Sequence, residues 1–318
     1  RILFPFRHQQ SVPWGYRLAI QSMDICFTNL THCYGDTTAL DDLSFDVPSG
    51  SFVVIVGPSH AGKTTLLRLV AGDEVSTTGT VRFMSRNTES SAELETVSPL
   101  FLDATSPVVG KQLPPADTGV VLVDELSEDI VRTPLERQTY LEKLRSHVRG
   151  SIVYATRDEG DALAVSDHLA VLRNGHLQQF GTPKEILTDP ANEFVATYFG
   201  RPVINLLPAI LEKDGQAILV GNQTMSLAGR IAEEFCRDIT VGVRPEHVRV
   251  TRDEGGWRGR VVSEEDDGQY TIVTVNVEGV SIRARSTESF SENESVFVRL
   301  MSRHCIVFDD RGQLLDQL

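Results

Sequence analysis

The sequence predicts an α/β domain built on a parallel sheet, followed by a small all-β barrel. Three observations carry that prediction. Two runs of four aliphatic residues, Val53-Val54-Ile55-Val56 and Val120-Val121-Leu122-Val123, each lead straight into polar sequence, the pattern of buried parallel strands whose carboxyl ends carry chemistry. The first run continues as Gly57-Pro58-Ser59-His60-Ala61-Gly62-Lys63-Thr64, which fits the phosphate-loop pattern G-x-x-x-x-G-K-[ST] at every fixed position. From Asn205 onward the pattern changes to short β-rich runs separated by turn residues, as expected of a small barrel.

Composition sets the bounds. A chain of 318 residues has room for about two domains with real cores. Hydrophobic residues at 41% and charged residues at 23% are ordinary for a globular protein. A net charge of −14 argues against broad nucleic-acid binding, which needs clustered Lys and Arg, yet permits a nucleotide site that needs only local positive potential. No run approaches the length of a membrane-spanning helix. Cys26, Cys33, Cys236 and Cys305 are scattered without a C-x-x-C pair, and read as reduced thiols of a cytoplasmic protein.

Residues 1–22 mix Pro, Trp, Phe and Arg without periodicity; Met23 reads as the natural start, and what precedes it as an upstream extension or a poorly ordered tail, not a secretory signal. Strands are expected over 24–30 and 39–47, with Tyr34-Gly35 in a turn between them and Pro48-Ser49-Gly50 turning into the phosphate-loop strand. Gly57 and Gly62 let the loop turn tightly and bring backbone N–H groups against phosphate oxygens, and a helix starting near Lys63 points its positive end at the same anion. Lys63 would reach the β- and γ-phosphates and the Thr64 hydroxyl would ligate Mg²⁺. His60 either narrows the loop or turns to solvent. Ala71-Gly72 closes the helix, and 78–81 is a short strand.

Residues 86–118 are polar, rich in Ser and Thr and weakly periodic. At Val120–Asp124 the second aliphatic run ends in Asp124-Glu125. These acids suit a nucleotide site: Asp124 would hold Mg²⁺, directly or through an intermediary, and Glu125 would polarise an attacking water. An amphipathic helix is expected over 134–148, a strand over 151–156, a helix start at 161–165, a strand over 168–172 and a hairpin turn at Asn174-Gly175. Thr182 caps a further helix, with Pro183 at its first position and Glu185 three residues after the cap. Barrel strands are expected over 217–220, 239–243, 248–251, 259–262, 270–277, 280–284, 295–300 and 305–308.

The order strand, strand, turn, strand, phosphate loop, helix resembles the opening of the nucleotide-binding domains of ATP-binding cassette (ABC) proteins, P-loop NTPases with a RecA-like core. The run from Gln178 to Ala196, with Phe180-Gly181-Thr182-Pro183 and Asn192-Glu193-Phe194, looks like the end of the cassette in importer ATPases of the maltose/glycerol-3-phosphate type. Val243-Arg244-Pro245-Glu246-His247 resembles the Arg-Pro-Glu turn of the OB-like TOBE regulatory barrel of those importers. The resemblance implies a leader at 1–22, a cassette at 23–200 and a TOBE barrel at 201–318. It further implies an ATP and Mg²⁺ site formed by Gly57, Pro58, Ser59, His60, Ala61, Gly62, Lys63, Thr64 and Thr65, with Asp124 on the metal and Glu125 catalytic. Tyr34 would stack on adenine, unless it is an ordinary core tyrosine.

The chain departs from the family across 86–118. The glutamine loop, the helical subdomain and the Leu-Ser-Gly-Gly-Gln signature have no counterpart there; Lys63 and Asp124 are 61 residues apart, about half the separation the family leads one to expect. Leu102 stands where the family's glutamine would be. Gln112 lies too close to Asp124 to be a worn signature. Asp129 is either a D-loop aspartate or a surface acid. Arg157, 33 residues after Asp124, occupies the place of the switch histidine; unlike imidazole, guanidinium cannot accept a hydrogen bond, though it can still bind phosphate.

The resemblance therefore implies an importer ATP-binding subunit, for a carbohydrate-like solute, that binds ATP but hydrolyses it slowly or not at all. It would work peripherally on the inner face of the cell membrane with permease subunits and a second, intact ATP-binding subunit, and indirectly with a solute-binding protein. The alternative is a non-catalytic regulatory or scaffold subunit acting through the barrel.

Overall fold

The computed structural model describes residues 23–85, 99–102, 113–126, 133–212, 217–226, 238–266, 268 and 270–317. The expected leader, the chain around Gln112, Asp129 and Cys236 lie outside them. Contacts divide the chain into two units, Arg1–Pro183 and Lys184–Leu318.

In the first unit, β1 (Met23–Tyr34) pairs antiparallel with β2 (Thr37–Val47) on one side and β4 (Thr78–Ser85) on the other. The larger sheet contains β3 (Phe52–Val56), β5 (Leu100–Leu102), β6 (Val120–Asp124), β7 (Ser151–Thr156), β8 (His168–Arg173) and β9 (His176–Gly181). Its spatial order is β5-β6-β7-β3-β8-β9. Every pairing is parallel except that of β9, which returns antiparallel along β8. All five residues of β3 and all six of β7 are buried. That is why both segments read as continuous apolar runs: a strand with neighbours on both sides and covered faces has no solvent face to make polar. The β8–β9 turn places Asn174 at φ 50 and Gly175 at φ 82, two left-handed residues in a row, as a tight hairpin requires.

The helices are ended by local chemistry. Helix α1 (Lys63–Ala71) stops at Gly72, which adopts φ 76, while the Asp73 N–H bonds back to the Arg68 carbonyl at 3.0 Å, the left-handed C-terminal stop that glycine permits. Helix α2 (Pro134–His147) starts in a capping box: the Glu136 N–H donates to Thr133 Oγ1 at 3.2 Å and the Thr133 N–H to Glu136 Oε2 at 3.3 Å. Asp158 caps α3 (Glu159–Val165) by accepting from the Asp161 N–H at 3.0 Å. Its other oxygen accepts from Arg137 on α2 at 2.9 Å. This pins the backbone next to Arg157. Ile25, Leu43, Ile55, Leu66, Leu122 and Val153 belong to the core that joins the two sheets and α1.

The second unit takes in most of α4 (Pro183–Thr188), then α5 (Glu193–Tyr198) and eleven strands. These are β10 (Asn205–Leu211), β11 (Ala217–Val220), β12 (Gln223–Ser226), β13 (Asp238–Val243), β14 (Val248–Thr251), β15 (Trp257–Asp266), β16 (Thr271–Val277), β17 (Val280–Ser286), β18 (Ser295–Leu300), β19 (Cys305–Phe308) and β20 (Leu314–Gln317). They form two sheets, β12-β11-β10-β13-β19-β20 and β14-β18-β15-β16-β17, around one core that includes Leu207, Ile218, Val241, Val275, Val298 and Val307. The strand-rich unit is in keeping with the expected OB-like barrel.

Two details differ from the sequence reading. Strands β10, β12 and β20 were not among the expected ones: β12 is short of apolar residues, and β10 contains Pro208, a residue that counts against a strand unless its missing N–H is not needed. The division between units falls after Pro183, not at 200. Residues 184–200 belong with the barrel because they are bonded into it: Arg244 donates to the carbonyls of Leu187 at 2.8 Å and Phe199 at 3.0 Å, the Glu193 N–H to Gly312 O at 2.8 Å, and the Leu314 N–H to Ala191 O at 3.0 Å.

Asn205 joins the two sheets of this unit. Its Nδ2 donates to Val243 O at 3.1 Å in one sheet and to Arg283 O at 2.9 Å in the other, while Oδ1 accepts from the Arg283 N–H at 2.8 Å. Asn205 is buried, so truncation leaves three backbone groups without the partner they have now. Asn205→Ala is expected to destabilise the chain by about 2–3 kcal/mol, read from urea unfolding with a probe in the second unit, Trp257.

Candidate functional site

The phosphate loop runs from the end of β3 to the start of α1 and is wedged in place by close approaches. A Cβ on Gly57 would lie 2.2 Å from the Leu172 carbonyl oxygen, so no other residue fits. Gly62 has φ 100, and a Cβ there would meet Ala39 O at 2.6 Å. His60 adopts φ 63, an unusual conformation for a residue with a side chain, and is exposed.

Lys63 is the first residue of α1 and 6% exposed. Its ammonium donates to Gly57 O and Pro58 O, each at 2.9 Å. Burial pulls its pKa below the usual lysine range; Glu125 and Asp124 act against that shift, and Arg157 adds to it. The loop thus holds a partly desolvated cation beside inward-facing backbone, an arrangement that a phosphate completes.

Asp124 ends β6 with Oδ1 buried and without a hydrogen-bond partner among the described residues. Burial raises its carboxyl above the usual range, opposed first by a hydrogen bond with Thr64. An orphaned carboxylate oxygen beside a hydroxyl is a donor set that suits Mg²⁺, a hard cation that takes oxygen ligands. Thr64 and Asp124 are the residues that would hold it.

Glu125 lies one residue on, at φ 31. Its Oε1 forms an ion pair with Arg157, 3.1 Å from Nε, and stands 3.9 Å from Lys63 Nζ. Arg157 also reaches Ser59 Oγ at 3.4 Å. The carboxylate that would polarise water is therefore clamped between two cations.

One cavity of about 690 Å³ collects these groups. Its wall includes Tyr34, Ser59, His60, Ala61, Gly62, Lys63, Thr64, Thr65, Asp124, Glu125 and Arg157. Gly57 and Pro58 are outside the wall but supply the carbonyls that hold Lys63. Tyr34 is half-exposed and bonds through its hydroxyl to Glu74, so it is not a core tyrosine. Thr37, Thr38 and Ala39 also line the cavity; the sequence offered no sign of them beyond their place after the Tyr34-Gly35 turn. Leu102 is buried at the end of β5 and is not in the wall.

Comparison with known proteins agrees with this geometry. The family profile described as ABC transporter matches residues 40–154, and that described as TOBE domain matches residues 241–308. The chain is an ABC cassette followed by a TOBE domain. It is similar to the sn-glycerol-3-phosphate import ATP-binding protein of Ruegeria pomeroyi, 29% identical over 314 aligned positions covering 80% of this chain and 87% of the relative. A second protein of that name from Agrobacterium fabrum is 27% identical, covering 87% of this chain and 90% of its own length. Among solved structures, a nucleotide-free ATP-binding cassette from an ABC transporter aligns with 56% of this chain and 99% of its own, at 15% identity and a TM-score of 0.43.

The raised pKa of Asp124 makes a signed prediction. A carboxylate whose folded pKa lies above its unfolded value destabilises the fold at neutral pH, and the penalty disappears as pH falls below the ordinary aspartate value. Asp124→Asn is expected to raise the unfolding midpoint of the nucleotide-free chain at pH 7, with the gain shrinking towards about pH 4. In the same variant, addition of Mg²⁺ should no longer strengthen ATP binding, measured by calorimetry.

Proposed function

We propose that this chain is the ATP-binding subunit of an ABC importer and that it binds Mg-ATP while turning it over slowly or not at all. The observation that carries the reading is the pairing of Arg157 with Glu125 inside an otherwise complete phosphate-binding cavity. The relatives named as sn-glycerol-3-phosphate import ATP-binding proteins support the importer assignment and suggest a small polar solute of the carbohydrate or polyol-phosphate kind.

The parts divide as follows. Backbone N–H groups of the loop, Lys63 and the N-terminus of α1 bind phosphate oxygens, and Thr64 and Asp124 hold Mg²⁺. Tyr34, also in the cavity wall, is the residue that would stack on the adenine. Bound Mg²⁺ would neutralise charge on the phosphates. What is weak is the activation of water. A carboxylate must accept a hydrogen bond from the attacking water to orient it. Here Oε1 of Glu125 is already ion-paired with a permanently charged guanidinium, which also stands where a group able to accept as well as donate would be needed.

A second deficit concerns the segment between β4 and β6. The 314 aligned positions shared with the Ruegeria relative exceed what 80% of a 318-residue chain can fill, so that relative carries residues with no counterpart here. The helical subdomain and the signature are the parts we assign to that loss. A homodimer would then lack the signature that each site takes from the opposite subunit, and turnover would need an intact second ATP-binding subunit. Docking on permeases places the chain at the inner face of the membrane; among the described residues no helix is long and apolar enough to cross one.

Purified protein is expected to bind ATP with micromolar affinity and to show no more hydrolysis than Lys63→Ala, which should also lose most of the binding. Turnover clearly above that control would overturn the degenerate reading; absence of ATP binding would overturn the nucleotide-binding one.

A further inference from the structure

The second unit contains a cavity of about 480 Å³ that the ATP-binding reading does not use. Four arginines line it, Arg201, Arg244, Arg285 and Arg303, together with His247 and His304, against a single carboxylate, Glu246. In a chain with a net charge of −14, so one-sided a lining is a local inversion of the overall balance. It is also made of guanidinium rather than ammonium groups, and guanidinium presents paired N–H donors in a planar fork that matches oxyanions.

Three features distinguish this cavity from a chance gathering of surface arginines. The Arg285 guanidinium lies 3.5 Å above the Tyr270 ring; stacking holds its plane without consuming its donors, and its Nε is buried with no hydrogen-bond partner among the described residues. The rings of His247 and His304 stack at 4.0 Å with a 16° interplanar angle, and His247 Nδ1 is likewise buried without a partner. Burial, and His304 next to it, hold His247 below the usual imidazole range, with Glu246 acting against that shift. The framework is fixed by Arg244, which is spent on the Leu187 and Phe199 carbonyls, and by backbone bonds from His247 to Arg244 O at 2.9 Å and from Met301 to His247 O at 3.0 Å. Arg244 builds the wall, and Arg285 keeps its Nε without a partner among the described residues.

We propose that this cavity binds a small molecule through a phosphoryl group, with Arg285 and Arg303 as the principal donors and the His247–His304 pair beside them. Cations and imidazoles approaching from several elements suit a tetrahedral dianion with three terminal oxygens better than a planar carboxylate, which one guanidinium fork would satisfy. The volume exceeds what a bare phosphate fills, so either free phosphate or a phosphate monoester of sugar size is accommodated. The site shares no lining residue with the nucleotide cavity.

The test is calorimetry on the full chain carrying Lys63→Ala, so that the phosphate loop contributes little, with inorganic phosphate and glucose 6-phosphate titrated separately and succinate as the carboxylate control. Saturable binding of at least one phosphoryl probe is expected, weakened at least about tenfold by Arg303→Ala and by Arg285→Ala. Arg303 is exposed, so its variant carries the test even if Arg285→Ala does not fold. Binding confined to inorganic phosphate would identify free phosphate as the ligand; tighter binding of glucose 6-phosphate would identify an ester. The proposal is overturned if neither probe binds, if both arginine variants bind as the parent does, or if succinate binds as tightly as the phosphoryl probes.

Discussion

Everything at the nucleotide site depends on how closely the phosphate loop lies against its neighbours. Gly57 sits where a Cβ would come within 2.2 Å of Leu172 O on β8, and Gly62 where one would come within 2.6 Å of Ala39 O on β2. The β8–β9 turn closes the third side: the Gly175 N–H donates to Ala61 O at 3.2 Å, and the Asp41 N–H to Gly175 O at 2.9 Å. The loop is thus held by backbone from three separate strand ends. Its conformation is fixed before any ligand arrives, which is what allows backbone N–H groups to act on phosphate without a reorganisation cost. The same packing explains why the β1–β2 hairpin contributes Tyr34, Thr37, Thr38 and Ala39 to the cavity, since β2 is part of the clamp.

Within that fixed frame the three charged side chains at the loop differ in their surroundings. Lys63 is partly desolvated and spends donors on two carbonyls of its own loop, so a phosphate has a cation close at hand. Asp124 is costly as it stands, a half-buried carboxylate with one buried oxygen unpartnered among the described residues, and a divalent cation would relieve that cost. Glu125 differs from both. It is 42% exposed and is matched by Arg157, itself 60% exposed; an ion pair so open to water contributes little to stability. Its consequence is positional: the oxygen facing Lys63 is the one Arg157 occupies.

Much of this was legible in the sequence because the informative residues are constrained by geometry that leaves few alternatives. A loop that must approach β8 within touching distance requires glycine at 57, and a strand covered on both faces requires the unbroken runs at 53–56 and 120–123. The first unit's chief elements and the cavity lining followed. What escaped was of two kinds. Polar or proline-bearing strands such as β12 and β10 form because a neighbour offers a hydrogen-bonding edge, and their own pattern carries little of that information. Long-range charge pairing was the other. Arg157 was recognisable as a replacement for histidine, but its pairing with Glu125 required β6 and β7 to be adjacent. The cluster around Arg285 and His304 draws on residues scattered over a hundred positions of sequence, with the Arg244–His247 turn as its one visible part.

The shortened segment between β4 and β6 raises the question of how the sheet tolerates it. An unpaired edge of a parallel sheet invites association with other chains unless it is short, twisted or covered. Here β5 has three residues. Leu102 is buried and Phe101 packs against the core of the first unit, so the edge strand spends its apolar side chains inward. The most exposed large apolar side chains among the described residues are Val75 and Leu135, neither of them on β5. On the reading proposed above, the described part of this core packs β5 without drawing on a helical subdomain. Loss of that subdomain would then bear on communication between subunits while leaving the nucleotide pocket standing, which is the combination that a chain binding ATP without turning it over requires.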